Sequence, residues 1–220
     1  MPIYGLVSVR CDTSIVNLEF FAGTGQQSRL LNDMALSLEL RDFCDSWRAK
    51  AAACSLENIH GAFERFFTSY VAFNRLYTEA TFRLAQQGHV KLRERFPDSL
   101  AAQDYVVQFC TAATLTQAWE NSANATAALH EIADHLREGR FSPKLDPVTG
   151  DRRPAKDLEL LTALESNGRN RKAKAVLEAL YAIRCNMFHG QKDFHLRQLA
   201  LLRPAILLLE VTTDVLYHAL

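Results

Sequence analysis

Apolar side chains recur every three to five residues along most of this chain, which is the spacing of one face of an α-helix. After Arg29 this pattern predicts a helix that ends near Ala53. Ser55 or Asn58 can then cap a long helix rich in phenylalanine and tyrosine, which Gly88 terminates. The chain between residues 29 and 88 is therefore predicted to be almost entirely helical.

Further helical stretches follow the break at residues 96–98. They are predicted from Ser99, over roughly residues 118–136, from Leu158 to His189 with an interruption near residues 167–168, and from about Phe194 to the C-terminus. The connections between most of them are short, which favours antiparallel neighbours. The pattern therefore predicts an all-α bundle of five to six helices.

Two segments depart from the helical pattern. Residues 141–156 contain three prolines and Gly150, so they are predicted to form one long loop. Residues 1–24 hold two short apolar runs separated by a turn-like Asp-Thr-Ser, and are predicted to be extended or a β-hairpin. The predicted organisation is one α-helical domain over residues 25–220, preceded by this short N-terminal segment.

Composition narrows the class of protein. The chain has 220 residues, 48% of them hydrophobic, and its 25 Lys and Arg balance 25 Asp and Glu. These values argue against a disordered chain and against a protein that coats nucleic acid through bulk positive charge. Five cysteines without a short paired spacing form neither a disulfide framework nor a zinc motif. With no signal peptide or membrane-spanning run, we expect a cytoplasmic protein with reduced thiols.

A zinc site is the first chemistry to consider. His130 and His135 flank acidic residues in a pattern similar to that of zinc proteases, but they are five residues apart rather than four. At about 100° per residue, that spacing separates the two imidazoles by roughly 140° around a helix. We therefore expect no metal here, although a metalloenzyme that uses this pair stays a third hypothesis.

The segment from Tyr181 to Lys192 is the strongest candidate site. It places Arg184, Asn186 and His189 near the end of an amphipathic helix that Gly190 terminates. Histidine can move a proton at neutral pH, and the guanidinium group matches phosphate oxygens, so these residue types suit phosphodiester chemistry without metal. The alternative is a helix cap, since arginine and histidine also favour the negative end of the helix dipole.

This segment resembles the signature of the HEPN domains (higher eukaryotes and prokaryotes nucleotide-binding), in which an arginine precedes a histidine by four to six intervening residues. Arg184 and His189 match the two positions, and Gly190 and Lys192 follow. The aromatic helix of residues 67–77 and the apolar helix after the motif are also similar to the family. The resemblance covers about residues 57–87 and 155–218.

The resemblance implies a helical homodimer whose paired motifs line a cleft, and commonly a metal-independent endoribonuclease with a toxin or defence role. It assigns catalysis to Arg184 and His189, with Asn186 as the polar partner, and requires no cofactor. Lys192 and Tyr181 are the expected RNA-binding residues. The family often has a polar residue directly after the arginine, where this chain has Cys185.

Two partner classes follow from the resemblance. An active enzyme acts on RNA and often pairs with an antitoxin, whereas other members are non-catalytic modules that bind a protein or a nucleotide. Charge favours an anionic ligand locally, because residues 137–174 contain ten Lys and Arg against six Asp and Glu. The first hypothesis is thus a HEPN-type endoribonuclease, and the alternative is a non-catalytic binding module.

Overall fold

A computed structural model describes residues 36–92, 94–146, 148–188 and 196–220, which fold into eight helices. Helix α1 covers Leu38–Ala53, and the 28-residue α2 covers Ile59–Gln86. Asn58 caps α2 by accepting a hydrogen bond from the backbone N–H of Gly61 at 2.8 Å. The end of α1 and the extent of α2 confirm the prediction. The predicted N-terminal segment of residues 1–24 lies outside the described residues.

Helix α3 (98–110) consists of three consecutive parts. An α-helical turn, Asp98–Leu100, leads into a π-helical turn, Ala101–Tyr105, and then into the α-helical Val106–Cys110. The helix begins at Asp98, directly after Pro97, so Ser99 lies inside its first turn. The predicted start at Ser99 is therefore one residue late.

Helices α4 (Ala112–Asn121) and α5 (Ala123–Arg137) occupy the stretch for which one helix over 118–136 was predicted. Ser122 separates them with an extended backbone, and its hydroxyl oxygen accepts a hydrogen bond from the N–H of Ala125 at 3.2 Å. A serine in this role starts a helix rather than continuing one. The prediction of a single helix is therefore wrong, although the stretch is helical.

The loop after α5 is shorter than predicted. Leu145 and Arg152 form an isolated antiparallel bridge, which brings the two sides of the loop together. Helix α6 then covers Pro154–Leu164 and begins with its proline. Proline is well tolerated at the first helical position because its missing N–H has no helical partner there. The loop consequently ends at Arg153 and not at residue 156.

Helix α7 covers Arg169–Phe188, so the interruption predicted near residues 167–168 is confirmed. A 3-10 turn, Leu196–Gln198, precedes the last helix, α8, which covers Leu199–Ala219 and contains Pro204. Within the described ranges, no helix is long and apolar enough to cross a membrane.

The core lies between α2 and α8, which pack on each other, while α1 packs on α2 and α5 on α8. Phe66, Tyr70, Phe73 and Tyr77 stack along the buried side of α2, with successive ring centroids 5.2–6.0 Å apart. Residues Leu36–Leu220 form one compact unit. Within the described residues the all-α prediction is confirmed, whereas the predicted number of five to six helices is too low, because two predicted helical stretches are each divided into two helices.

Candidate functional site

Three helices bring together five side chains, which we call the Arg184 cluster: Tyr70 and Tyr77 of α2, Asp98 of α3, and Tyr181 and Arg184 of α7. Tyr70 and Tyr77 are seven residues apart on α2, so they lie on the same face of that helix. Tyr181 and Arg184 are three residues apart on α7 and are likewise neighbours.

Asp98 is the centre of the Arg184 cluster. Its carboxylate accepts a hydrogen bond from the hydroxyl of Tyr77 at 2.5 Å and another from the hydroxyl of Tyr181 at 3.1 Å. One of its oxygens also lies 3.7 Å from Nη1 of Arg184. One carboxylate at the start of α3 therefore links α2 and α7, and it fixes the position of the arginine that the sequence singled out.

Arg184 is held by aromatic rings as well as by charge. Its guanidinium carbon lies 5.6 Å from the ring centroid of Tyr70 and 5.8 Å from that of Tyr181, which is the range of cation–π attraction. Nη1 also donates to Sγ of Cys185 at 3.9 Å. The side chain keeps 23% of its surface exposed, so one part of the cation still faces solvent.

Burial keeps the three tyrosines of the cluster neutral to a higher pH than a free phenol. It raises the pKa of Tyr70 and of Tyr77 far above the ordinary value of 10.0, and burial together with the charge of Asp98 raises that of Tyr181. The Tyr70 side chain is only 3% exposed, and its hydroxyl has no hydrogen-bond partner in the described part of the chain. These phenols can donate hydrogen bonds, but they cannot serve as bases at neutral pH.

Asn186 has a contact that the sequence did not reveal. Its side chain is only 8% exposed, and Nδ2 donates a hydrogen bond to the carbonyl oxygen of Pro143 at 2.9 Å. The amide therefore ties α7 to the loop after α5. The structure does not bring Asn186 into the Arg184 cluster, and its observed role is to position the end of α7.

His189 and Lys192, the other predicted site residues, lie outside the described residues. Tyr181 and Arg184 are both within the described part, and the structure brings them into contact. Asp98, Tyr70 and Tyr77 were missed at the sequence level. The available signal was an aspartate in the first turn of a helix, a position that ordinarily indicates only a favourable dipole interaction.

The two histidines considered for zinc differ in their exposure to solvent. His130 is exposed, whereas His135 is only 5% exposed. No group of three or more His, Cys, Asp or Glu that could hold a metal ion occurs among the described residues.

The basic surplus over residues 137–174 is partly neutralised by acids outside it. Lys144 pairs with Glu178, and Lys174 pairs with Asp104. The remaining positive charge is therefore more local than the sequence count suggests.

Comparison with known proteins assigns no family to this chain. No protein-family model, curated protein or solved structure matches it. The Arg184 cluster is thus defined by its own geometry: a fixed, partly exposed guanidinium at the end of α7, held by a carboxylate and two neutral tyrosine rings.

Proposed function

We propose that this protein is a metal-independent endoribonuclease of the HEPN type. The observation that carries the proposal is the placement of Arg184, which is anchored by Asp98 and two tyrosine rings yet remains partly exposed. A cation that is already held in place stabilises the negative charge that develops on a phosphate during reaction, because the site does not have to reorganise first. The sequence adds His189 five residues later, which supplies the proton-transfer group.

The contacts of Arg184 also bear on the helix-cap alternative. An arginine that only caps a helix interacts with the last carbonyl groups of that helix. Arg184 contacts Asp98 of α3 and Tyr70 of α2, two residues that lie more than 80 positions earlier in the chain. Three helices contribute to its placement, which is more than a cap requires.

In the proposed reaction, a ribose 2′-hydroxyl attacks the adjacent phosphorus. The new O2′–P bond forms as the P–O5′ bond breaks, which leaves a 2′,3′-cyclic phosphate and a 5′-hydroxyl end. His189 takes the proton of the 2′-hydroxyl or returns one to the leaving oxygen, and Arg184 stabilises the charge on the nonbridging oxygens. Lys192 binds a neighbouring phosphate and Tyr181 packs against the substrate, while Asn186 positions the end of α7.

The proposal includes a homodimer that acts on RNA, in a toxin or defence role, with an antitoxin or other protein as partner. On an ideal helix, residues five apart diverge, so Arg184 of one subunit is proposed to act with His189 of the other. Single-stranded or loop RNA is the expected substrate, because the 2′-oxygen must align with the leaving group. A sedimentation experiment that finds an active monomer contradicts the paired arrangement.

The test is cleavage of a labelled RNA by the purified full chain in the presence of EDTA. Wild type is expected to leave 2′,3′-cyclic phosphate ends, and His189→Ala and Arg184→Ala are expected to lose at least about 100-fold in rate. Arg169→Ala, at an exposed arginine at the start of α7, is the matched control and should cleave as wild type does. A folded wild type that leaves RNA intact, or a fully active His189→Ala, overturns the assignment.

One observation favours the second candidate, a non-catalytic helical module that binds a protein partner or a nucleotide. Asp98 places a negative charge 3.7 Å from Arg184 and offsets part of the positive charge that catalysis needs. Under this candidate the Arg184 cluster is a structural link between helices. Arg184→Ala would then lower the unfolding temperature, while no RNA cleavage is seen for wild type or variant.

A further inference from the structure

A second cationic site lies away from the contacts of Arg184, in a cavity of about 490 Å³ between the loop after α5 and the start of α8. Three arginines line it: Arg140 and Arg152 from the loop, and Arg197 from the 3-10 turn. Two of them belong to the basic stretch that the sequence showed. None of the described residues that line the cavity is acidic.

Pro204 leaves one backbone carbonyl beside this cavity without a helical partner. Proline has no N–H, so the carbonyl of Ala200, four residues earlier in α8, receives no helical hydrogen bond from it. Nε2 of the buried His135 lies 3.2 Å from that carbonyl oxygen. Because a carbonyl can only accept, Nε2 carries the proton in this contact.

The other ring nitrogen of His135 faces one of the arginines. With Nε2 protonated, Nδ1 is an acceptor, and Nη1 of Arg140 lies 3.5 Å from it. The ring of Phe141 meets the His135 ring edge-on at 5.1 Å, which restricts the imidazole further. Glu131 lies 3.6 Å from the same nitrogen, Nε2, that faces the carbonyl of Ala200. His135 therefore contacts both the start of α8 and Arg140, one on each ring nitrogen.

The charges of the cavity match a doubly charged anion. Arg140 is already paired with Glu138, so its charge is offset. No ion pair joins Arg152 or Arg197 to an acid within the part of the chain that the structure describes. Among the described residues, two guanidinium groups of the cavity thus have no acidic partner, and their donor geometry suits phosphate oxygens. A phosphate monoester carries close to two negative charges at neutral pH.

The size and apolar lining of the cavity identify the rest of the ligand. The volume lies within the range of small-molecule sites and far exceeds that of a phosphate group. Phe141, Leu145 and Ala200 provide apolar surface beside the arginines. We propose that this cavity binds a small organic phosphate monoester, with the phosphate on Arg152 and Arg197 and an apolar or aromatic substituent against Phe141. The site is independent of the proposed ribonuclease chemistry.

Calorimetry with the full chain tests the proposal, using phenyl phosphate, inorganic phosphate and phenol as probes. Phenyl phosphate is expected to bind at one site more tightly than inorganic phosphate, and phenol is expected not to bind. Arg152→Gln and Arg197→Gln, both at exposed positions, should each weaken phenyl phosphate binding by about tenfold or more. The control Arg169→Gln removes an exposed arginine outside the cavity and should bind as wild type does.

Two further experiments distinguish a phosphate monoester from a phosphodiester ligand, and this cavity from the Arg184 cluster. A short oligoribonucleotide with hydroxyl ends presents only phosphodiesters, and it is expected to displace phenyl phosphate poorly. Arg184→Ala should keep full phenyl phosphate binding, so failure of the ribonuclease proposal leaves this one standing. Three results overturn the proposal. Folded wild type does not bind phenyl phosphate, or Arg152→Gln and Arg197→Gln bind it as tightly as wild type does, or the protein binds the oligoribonucleotide but not phenyl phosphate.

Discussion

Replacing Asp98 with alanine removes one carboxylate that three side chains share. Tyr77 is fully buried, and its hydroxyl donates to this carboxylate; Tyr181 and Arg184 contact the same group from α7. The substitution leaves the hydroxyl of Tyr77 buried without an acceptor. It also leaves the guanidinium group of Arg184 without the ion pair that anchors it.

The magnitude follows from these contacts. Losing a carboxylate acceptor from a buried hydroxyl costs about 1.5–3 kcal/mol in unfolding free energy. The half-buried Tyr181 contact adds about 0.5–1.5 kcal/mol, and the partly exposed Arg184 pair adds about 0.5–1 kcal/mol. Contacts that share one group are not additive, so we expect Asp98→Ala to cost about 3 kcal/mol.

The assay is chemical denaturation followed by circular dichroism, with a double-mutant cycle. Tyr77→Phe removes the hydroxyl and its bond together and should cost about 1–2 kcal/mol. Combined with Asp98→Ala, it should show a coupling of at least about 1 kcal/mol, because the second change no longer strands a donor. Asp98→Asn is the matched control, since it keeps an acceptor of the same shape. A cost for Asp98→Ala below about 1 kcal/mol, or no coupling with Tyr77→Phe, refutes the reasoning.

Three further predictions concern backbone and thiols. Gly61→Ala in α2 should destabilise the protein by about 1–3 kcal/mol, although alanine forms helices better than glycine, because the new methyl group overlaps the carbonyl of Ser55. Chemical denaturation measures the change in unfolding free energy, and a more stable variant contradicts the prediction. Thr111→Gly should stabilise by up to about 1 kcal/mol in the same assay, because the φ of +66° disfavours a β-branched residue by more than the loss of its cap on the N–H of Thr114, about a few tenths of a kcal/mol. A loss of stability greater than about 0.5 kcal/mol contradicts the strain. Burial raises the pKa of Cys44 to about 11 and that of Cys110 to about 12, so at pH 8 their thiolate fractions fall by about 100-fold or more. Mass spectrometry of iodoacetamide labelling in the folded protein should find both thiols slow, with rates that rise with pH; complete labelling within minutes at pH 8 contradicts this.

Much of the fold was predictable because helical periodicity is a local signal. The end of α1, the extent of α2 and the break between α6 and α7 all lie where apolar spacing and glycine indicate. The wrong helix limits occur at residues that can either start a helix or lie elsewhere in the chain. Ser122 can lie within a helix or start one, and Pro154 can break a helix or begin it. Neighbouring helices decide between these outcomes, and the pattern of one segment does not contain them.

The candidate site was predictable only in part. Arg184 and Tyr181 belong to one helix, so their contact follows from spacing alone. Asp98 and Tyr70 come from two other helices, and only packing brings them to Arg184. Asn186 is the reverse case: its residue type suggested chemistry, whereas its amide binds the loop at Pro143.

The sequence by itself determined the all-α class, the limits of α2 and the candidate Arg184, because each depends on residues within a few turns of one another. The tertiary structure decided which acid fixes Arg184, that Gly61 lies against a backbone carbonyl, and that Arg140, Arg152 and Arg197 share one cavity. These facts depend on how helices far apart in the chain pack. Packing is set by the fit of whole surfaces, which no local pattern encodes.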